Sequence, residues 1–400
     1  MSLFAKFELL AQSRRALDFD GPAPVATPFE DISSPTRGTV NGQEVILAGT
    51  NNYLGLTFHP DVINSAKHAL DTLGSGTTGS RMANGSYLDH GQLECDLAAA
   101  FNWPSAMVFS TGYQANVGVL SSIVGTGETL LIDADSHASI FDGCAMSKAQ
   151  TITFRHNDPA NLDRKLARLG DEAKNTLVVV EGLYSMLGDQ PPLAEFVDIK
   201  NRHGAWLLVD EAHSFGVFGE HGLGLTEHMG LLDEVDFIVG TFSKSLAGIG
   251  GFCVSPHPQA ELMRLASRPY IFTASPSPAV IAGTRAALKL LYSGQDLRRQ
   301  LHKNMTRLYA AANDLGYTLG SDQPGPVAAL ILPDKATALA HWQQLLASGV
   351  YANLMIPPAT PAGLCLLRLS LSAAHTDEDM DAIIEALTAV KTQQKQAISA

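Results

Sequence analysis

Two stretches decide the fold of this chain: Ala205-Trp-Leu-Leu-Val-Asp-Glu-Ala-His213 and, further on, Phe237-Ile-Val-Gly-Thr-Phe-Ser-Lys-Ser245. Each is a brief apolar run that stops abruptly in polar residues. Runs of this length read as strands buried on both faces, whose carboxyl ends deliver polar side chains to one edge of a sheet. The same pattern recurs outward from them, giving candidate strands at 106–110, 129–133, 151–154, 176–181, 205–210, 237–240 and 251–254. Helical patterns lie between them, for example at 161–169 and 193–203. Strand–helix alternation on this scale predicts a mostly parallel α/β sheet.

Towards the C-terminus, helical patterns at 279–291 and 296–315 precede strands at 327–332 and 364–371 and a last helix at 377–391. This second set predicts a smaller α/β domain, and the polar tail 392–400 is expected to fray. At the other end, Leu3, Phe7 and Leu10 recur at helical spacing, so a short amphipathic helix is expected. Packing of that helix on the protein's own body is preferred over peripheral membrane contact. Gly21-Pro-Ala-Pro24 and Ser34-Pro35 mark an irregular arm, and 39–47 around Asn41-Gly42 reads as a hairpin. The expected division is an arm over 1–50, a large domain over 51–290 and a small one over 291–400.

Composition narrows the function. Four hundred residues with 46% hydrophobic and 17% charged residues describe a globular protein with a sizeable core. The formal net charge of −13 argues against a nucleic-acid surface. Cys95, Cys144, Cys253 and Cys365 are scattered without a CxxC pair, so they read as buried small hydrophobes in a reducing, cytoplasmic compartment and not as a metal site or disulfide frame. No apolar run reaches the roughly 18 residues that would span a bilayer, and Lys6 and Glu8 interrupt any signal-peptide core.

Ligands of open α/β sheets collect at the carboxyl ends of strands. There this chain carries Asp210, His213 three residues on, and Lys244 among hydroxyls. A single lysine after a core strand is usually a surface residue. The combination suits pyridoxal phosphate: the Asp paired with its pyridine nitrogen, the His touching its phenolic oxygen, the Lys holding its aldehyde as a Schiff base. The turn Thr111-Gly112-Tyr113 offers backbone N–H groups as a phosphate seat. Thr241, Ser243, Thr273 and Ser275 add hydroxyls. His137 either stacks on a flat cofactor or is a hydrogen-bonded loop histidine, and Arg368 is either a carboxylate clamp or a structural ion-pair residue. Asp210-Glu-Ala-His213 also spells the acidic box of some helicases, but that chemistry needs a G-x-x-x-x-G-K-[ST] phosphate loop, which this sequence lacks.

The segments Asp210–His213, Gly240-Thr-Phe-Ser-Lys-Ser245, Asp133-Ala-Asp-Ser-His-Ala-Ser139 and Ser110-Thr-Gly-Tyr113 resemble the α-oxoamine synthases, pyridoxal-phosphate enzymes of the aspartate-aminotransferase fold (fold type I). The resemblance runs from Thr50-Asn-Asn-Tyr-Leu-Gly-Leu56 to Leu367-Arg-Leu-Ser370. Four segments are most similar to the soluble bacterial serine palmitoyltransferase branch: 74–85, Tyr184-Ser-Met-Leu-Gly-Asp189, 268–275 and Pro357-Pro-Ala-Thr-Pro361. The resemblance implies decarboxylative condensation of L-serine with a long-chain acyl thioester, palmitoyl-CoA or its carrier-protein equivalent, giving 3-ketosphinganine. It implies that Lys244 bears the cofactor and shuttles the Cα proton, Asp210 keeps the ring nitrogen protonated, and His213 with Ser185 meets the phenolic oxygen. His137 would stack on the ring and orient substrate. Gly112, Tyr113 and Thr241 would bind phosphate, while Thr273, Ala274 and Ser275 would reach the phosphate in a neighbouring subunit, making the active unit a homodimer. Asn52 and Arg368 would receive the amino-acid carboxylate. One departure stands out: Ile356 precedes the Pro-Pro-Ala-Thr-Pro loop where some bacterial relatives have Arg.

Overall fold

The computed structural model describes residues 3–8, 11, 23–357 and 359–399. Strands β1 (Asp31–Ser34), β2 (Arg37–Val40) and β3 (Gln43–Leu47) open the chain as an antiparallel meander. Val40 pairs with Gln43, leaving Asn41 and Gly42 as a two-residue turn with φ of 50° and 73°. Two left-handed residues are what a hairpin of this length requires, and Asn-Gly supplies them.

Seven strands then build the large sheet: β4 (Ser105–Phe109), β5 (Thr129–Asp133), β6 (Gln150–Phe154), β7 (Thr176–Glu181), β8 (Trp206–Asp210), β9 (Phe237–Thr241) and β10 (Gly251–Ser255). Their order is β4-β10-β9-β8-β7-β5-β6, parallel except for β10, which runs antiparallel to both neighbours. These strands match the expected ones to within a residue at each end. Apolar side chains on both faces feed two cores, one containing Val178, Val180 and Val209, the other Leu177, Val179 and Leu208. Parallel alignment brings Asp133, Glu181, Asp210 and Thr241 to the same edge.

The last strands are β11 (Thr318–Leu319), β12 (Val327–Leu332), β13 (Val350–Tyr351), β14 (Asn353–Met355) and β15 (Cys365–Ser370). Four of them form an antiparallel sheet in the order β11-β12-β15-β14, while β13 pairs in parallel with β3. The N-terminal meander is therefore part of this second core, where Val40, Ile46 and Leu47 pack with Leu330, Trp342 and Leu369. The segment after β3 is stitched on as well: Ser370 N–H donates to Ala48 and Ala373 N–H to Tyr53, each at 2.7 Å.

Three expectations change. The final helix, Asp377–Ser399, continues through the polar tail expected to fray, because a Gln- and Lys-rich segment keeps good helix propensity once an upstream helix nucleates it. At the N-terminus, Leu3, Phe4 and Phe7 are exposed at and beside the turn Ala5–Phe7; Leu10 lies outside the described residues. Cys95 is exposed, on the outer face of the helix Leu88–Phe101, whereas the other three cysteines are buried; all four are free thiols.

Candidate active site

The polar strand ends surround a cavity of about 310 Å³ lined by Gly112, His137, Asp210, His213, Thr241 and Lys244 among others. On one side the helix Gly112–Ile123 begins, its first turn capped by the Thr111 hydroxyl, which accepts from Gln114 N–H at 3.0 Å. A Cβ on residue 112 would come within 2.8 Å of the Thr241 side chain, so glycine is what lets that hydroxyl sit against the helix start. Thr241 Oγ1 donates to the Gly250 carbonyl at 3.0 Å, and Ser243 Oγ lies 2.9 Å from it. With the Thr241 proton committed to Gly250, Ser243 is the donor in the bond between the two hydroxyls.

Lys244 follows on the same loop. Burial lowers its pKa to about 8, while the negative charges of Asp210 and Glu181 pull the other way. A fraction of the amine is thus neutral near physiological pH, as a nucleophile requires. Asp210, buried at the end of β8, accepts from Ala212 N–H at 2.9 Å and from Asn116 Nδ2 at 2.6 Å. His213 is buried behind it, and its Nδ1 lies 2.6 Å from the Tyr53 hydroxyl. Burial pushes the phenol pKa up and the His213 pKa well down, so both are neutral, and at 2.6 Å the imidazole is a nearer acceptor for the tyrosine proton than Asn51 Oδ1 at 3.3 Å. That leaves the His213 Nε2–H for the cavity.

These residues fit pyridoxal phosphate. The glycine-dependent helix start with its adjoining hydroxyls suits the phosphate, Asp210 suits a pyridinium N–H, and Lys244 suits the aldehyde. His137 shares the cavity, with Tyr113 edge-on to its ring at 6.5 Å between centroids.

Other expected site residues stand elsewhere. Arg368 is buried on β15, outside the cavity lining, and its charge reaches both Lys244 and His213. Its Nη2 donates to Asn51 Oδ1 at 3.0 Å, and its Nε has no partner among the described residues. Asn51 is thus the asparagine that meets the arginine, while Asn52 beside it donates from its amide nitrogen to the Thr57 hydroxyl at 2.8 Å and has a buried Oδ1 without a partner among the described residues. The buried Ser275 hydroxyl donates to the Gly85 carbonyl at 2.6 Å and lies 2.8 Å from the Thr77 hydroxyl, within its own chain. Ser185 occupies a turn after β7 and does not line the cavity. Tyr113 does line the cavity, half-exposed, with its hydroxyl donating to Asp142. Thr273 accepts from Gln114 Nε2 at 3.3 Å, and the Ala274 carbonyl accepts from Ser110 at 2.6 Å. Ile356 packs partly buried against the C-terminal core.

Sequence reasoning missed Glu181. It ends β7 in register with Asp210, lines the cavity, and accepts the His137 backbone N–H at 2.5 Å. Burial first, and the charge of Asp210 second, push its pKa well above the carboxylate range. An acid closing an otherwise apolar strand was the available signal.

Comparison with known proteins bears on this cavity. The family model for class I and II aminotransferases matches residues 43–387. The chain is 50% identical over 385 residues to a serine palmitoyltransferase of Caulobacter vibrioides, covering 96% of this chain and 95% of that protein. It is 46% identical over 384 residues to the serine palmitoyltransferase of Sphingomonas paucimobilis, covering 96% and 91%. A solved structure of a variant of the S. paucimobilis enzyme, bound to a PLP–myriocin aldimine, superposes with a TM-score of 0.96 at 45% identity, covering 98% of this chain and 99% of that one.

Proposed function

The chain belongs to the family of class I and II aminotransferases, and from that premise we propose that it is a serine palmitoyltransferase. It condenses L-serine with a long-chain acyl thioester, palmitoyl-CoA by preference, to give 3-ketosphinganine, CO2 and the free thiol. The observation that carries this reading is the meeting of Lys244, Asp210, His213 and His137 around one cavity in a chain half-identical to proteins bearing that name.

When bound, pyridoxal phosphate supplies an electron sink for negative charge at the Cα of the amino acid. Lys244 would hold the cofactor aldehyde and, once displaced by serine, take the Cα proton and later return one. Its pKa near 8 suits both directions of that transfer. Asp210 would keep the pyridine nitrogen protonated, and His213 would donate to the phenolic oxygen from Nε2. Gly112 and Tyr113 amides with the hydroxyls of residues 241 and 243 would seat the phosphate. Arg368, steered by Asn51, would grip the serine carboxylate. Thr273 and Ala274 would complete the phosphate site of a second copy, so the working unit is a homodimer. Free cysteines agree with a cytoplasmic enzyme.

Mass spectrometry of products from purified holoenzyme offered serine, glycine and alanine with acyl thioesters of several lengths tests the proposal. A long-chain 3-keto product from serine is expected. A product from glycine or alanine with a short thioester, and none from serine, would replace the reading by that of another condensing synthase.

A further inference from the structure

The reading above leaves two of the most deeply buried polar side chains beside the cavity without a task. Asn116 lies on the helix that starts at Gly112, and Ser139 lies in the first turn of the helix Ala138–Ser147; both are almost fully buried. Asn116 Nδ2 stands 2.6 Å from Asp210 Oδ2 and 3.0 Å from Ser139 Oγ. The direction of these bonds follows from donor counting. The carboxylate can only accept, so the amide must face it with nitrogen; reversed, its carbonyl oxygen would oppose a carboxylate oxygen. The second N–H of that nitrogen then goes to Ser139 Oγ, while Asn116 Oδ1 has no partner among the described residues. Ser139 Oγ, already accepting, has its own proton free for His137 Nδ1, 2.8 Å away. The backbone N–H of Ser139 also points at that nitrogen, at 3.2 Å. Two donors therefore converge on Nδ1.

We infer that Asn116 and Ser139 are positioning residues: through a one-way relay from Asp210 they hold His137 Nδ1 as an acceptor, so that the imidazole is neutral and carries its proton on Nε2. Glu181 clamps the backbone of the same histidine, fixing the ring at the cavity wall. The charged and titratable groups facing His137 are Asp210, Glu181, Lys244, His213 and Tyr113. Burial holds the imidazole below its ordinary pKa, with Lys244 adding to this and Asp210 opposing it. The consequence is a division of labour between two neighbouring bases. His137 offers an N–H to a substrate oxygen and takes no proton, and Lys244 is the group that moves one. This inference rests on the reading of the cavity as the condensing site.

The test is nitrogen-15 NMR of the histidine rings in cofactor-free protein, with kinetics of the holoenzyme beside it. In the wild type, His137 should titrate below its ordinary pKa and show a protonated Nε2 with an unprotonated Nδ1. Ser139→Ala removes one donor, and Asn116→Leu frees the hydroxyl to turn round. Each should raise the His137 pKa by roughly half a unit to one unit, the worth of one hydrogen bond. Each should also lower kcat on the order of tenfold or more by misplacing the ring, with the acid limb of the pH–rate profile moving up in step. Ser139→Thr, which keeps the hydroxyl, should restore the wild-type ring signature. A proton on Nδ1 in the wild type, or an unmoved His137 pKa in both Ser139→Ala and Asn116→Leu, overturns the relay. If the ring signature is as expected and the holoenzyme makes no ketone from serine, the functional reading fails while the relay stands.

Discussion

Two clusters of buried acids and imidazoles sit side by side on this sheet edge, built from the same residue types and put to opposite uses. At the end of β5, Asp133 meets His156, whose ring nitrogens lie 2.8 Å from Asp133 and 2.8 Å from Asp189. Asn157 adds its backbone N–H to Asp133 and its side-chain amide to Asp189. Bonds to both carboxylates push the His156 pKa up to about 10 despite partial burial, so it is an imidazolium locked in place. Two strands away stand Asp210 and His213, which with His137 from the loop after β5 face a cavity, and burial drives both histidines the other way. A histidine bonded on each nitrogen to a carboxylate is structural cement. One that accepts at Nδ1 and keeps Nε2 open is equipment for chemistry.

Breaking the open cluster should abolish function and spare the fold. Lys244→Ala should give no detectable turnover and lose the visible absorbance of lysine-bound pyridoxal phosphate, while circular dichroism and oligomeric state persist. Among the described residues no other primary amine lines the cavity to take over. Wild-type-like turnover would remove Lys244 from its assigned role.

Next in size is Asp210→Asn. It should slow exchange of the serine α-proton in deuterated buffer on the order of a hundredfold, since an amide cannot hold a pyridinium proton where negative charge develops opposite it. Unchanged exchange would mean that Asp210 serves only to hold Asn116.

Arg368 tests the border between the two domains. Loss of one bidentate charge-assisted contact is worth roughly 1.5–3 kcal/mol, so Arg368→Ala should weaken serine binding about ten- to a hundredfold. Arg368→Lys keeps charge but not the fork and should fall between. Equal serine dissociation constants in wild type and Arg368→Ala, measured by spectral titration of the holoenzyme, would make Arg368 a purely structural partner of Asn51.

The closed cluster predicts the mildest effect, read in stability instead of turnover. The folded pKa of His156, about 10, exceeds the ordinary value near 6.5, so its stabilisation is fully present below about pH 6.5 and lost as pH rises toward 10. Denaturant midpoints should therefore fall across that window, and His156→Gln should flatten the slope while lowering stability at neutral pH. A wild-type midpoint that stays level from pH 6.5 to 10 would show that His156 is not locked as an imidazolium.

The chain itself dictated a good deal. Runs such as residues 130–132 and 177–180 are apolar at every position and bounded by polar residues, so their strand state, their burial and the direction of their polar ends follow from local pattern alone. Lys244, Asp210 and His213 were legible for the same reason, since each stands at or just past a strand end. What needed the tertiary structure were pairings between distant segments. Asn116 meets Asp210 across 94 residues, and Arg368 meets Asn51 across 317. Local pattern decides which face a residue takes and leaves open the register between segments. A slip of one residue would bring Asn52 instead of Asn51 against the Arg368 guanidinium. The closure of loops decides in the same way that Ser275 binds Gly85 in its own chain, and that of two neighbouring histidine systems one is sealed by carboxylates and the other left open to a cavity. Those choices depend on packing between segments far apart in sequence, where hydrogen-bond partners are settled only once the backbones on both sides are in place.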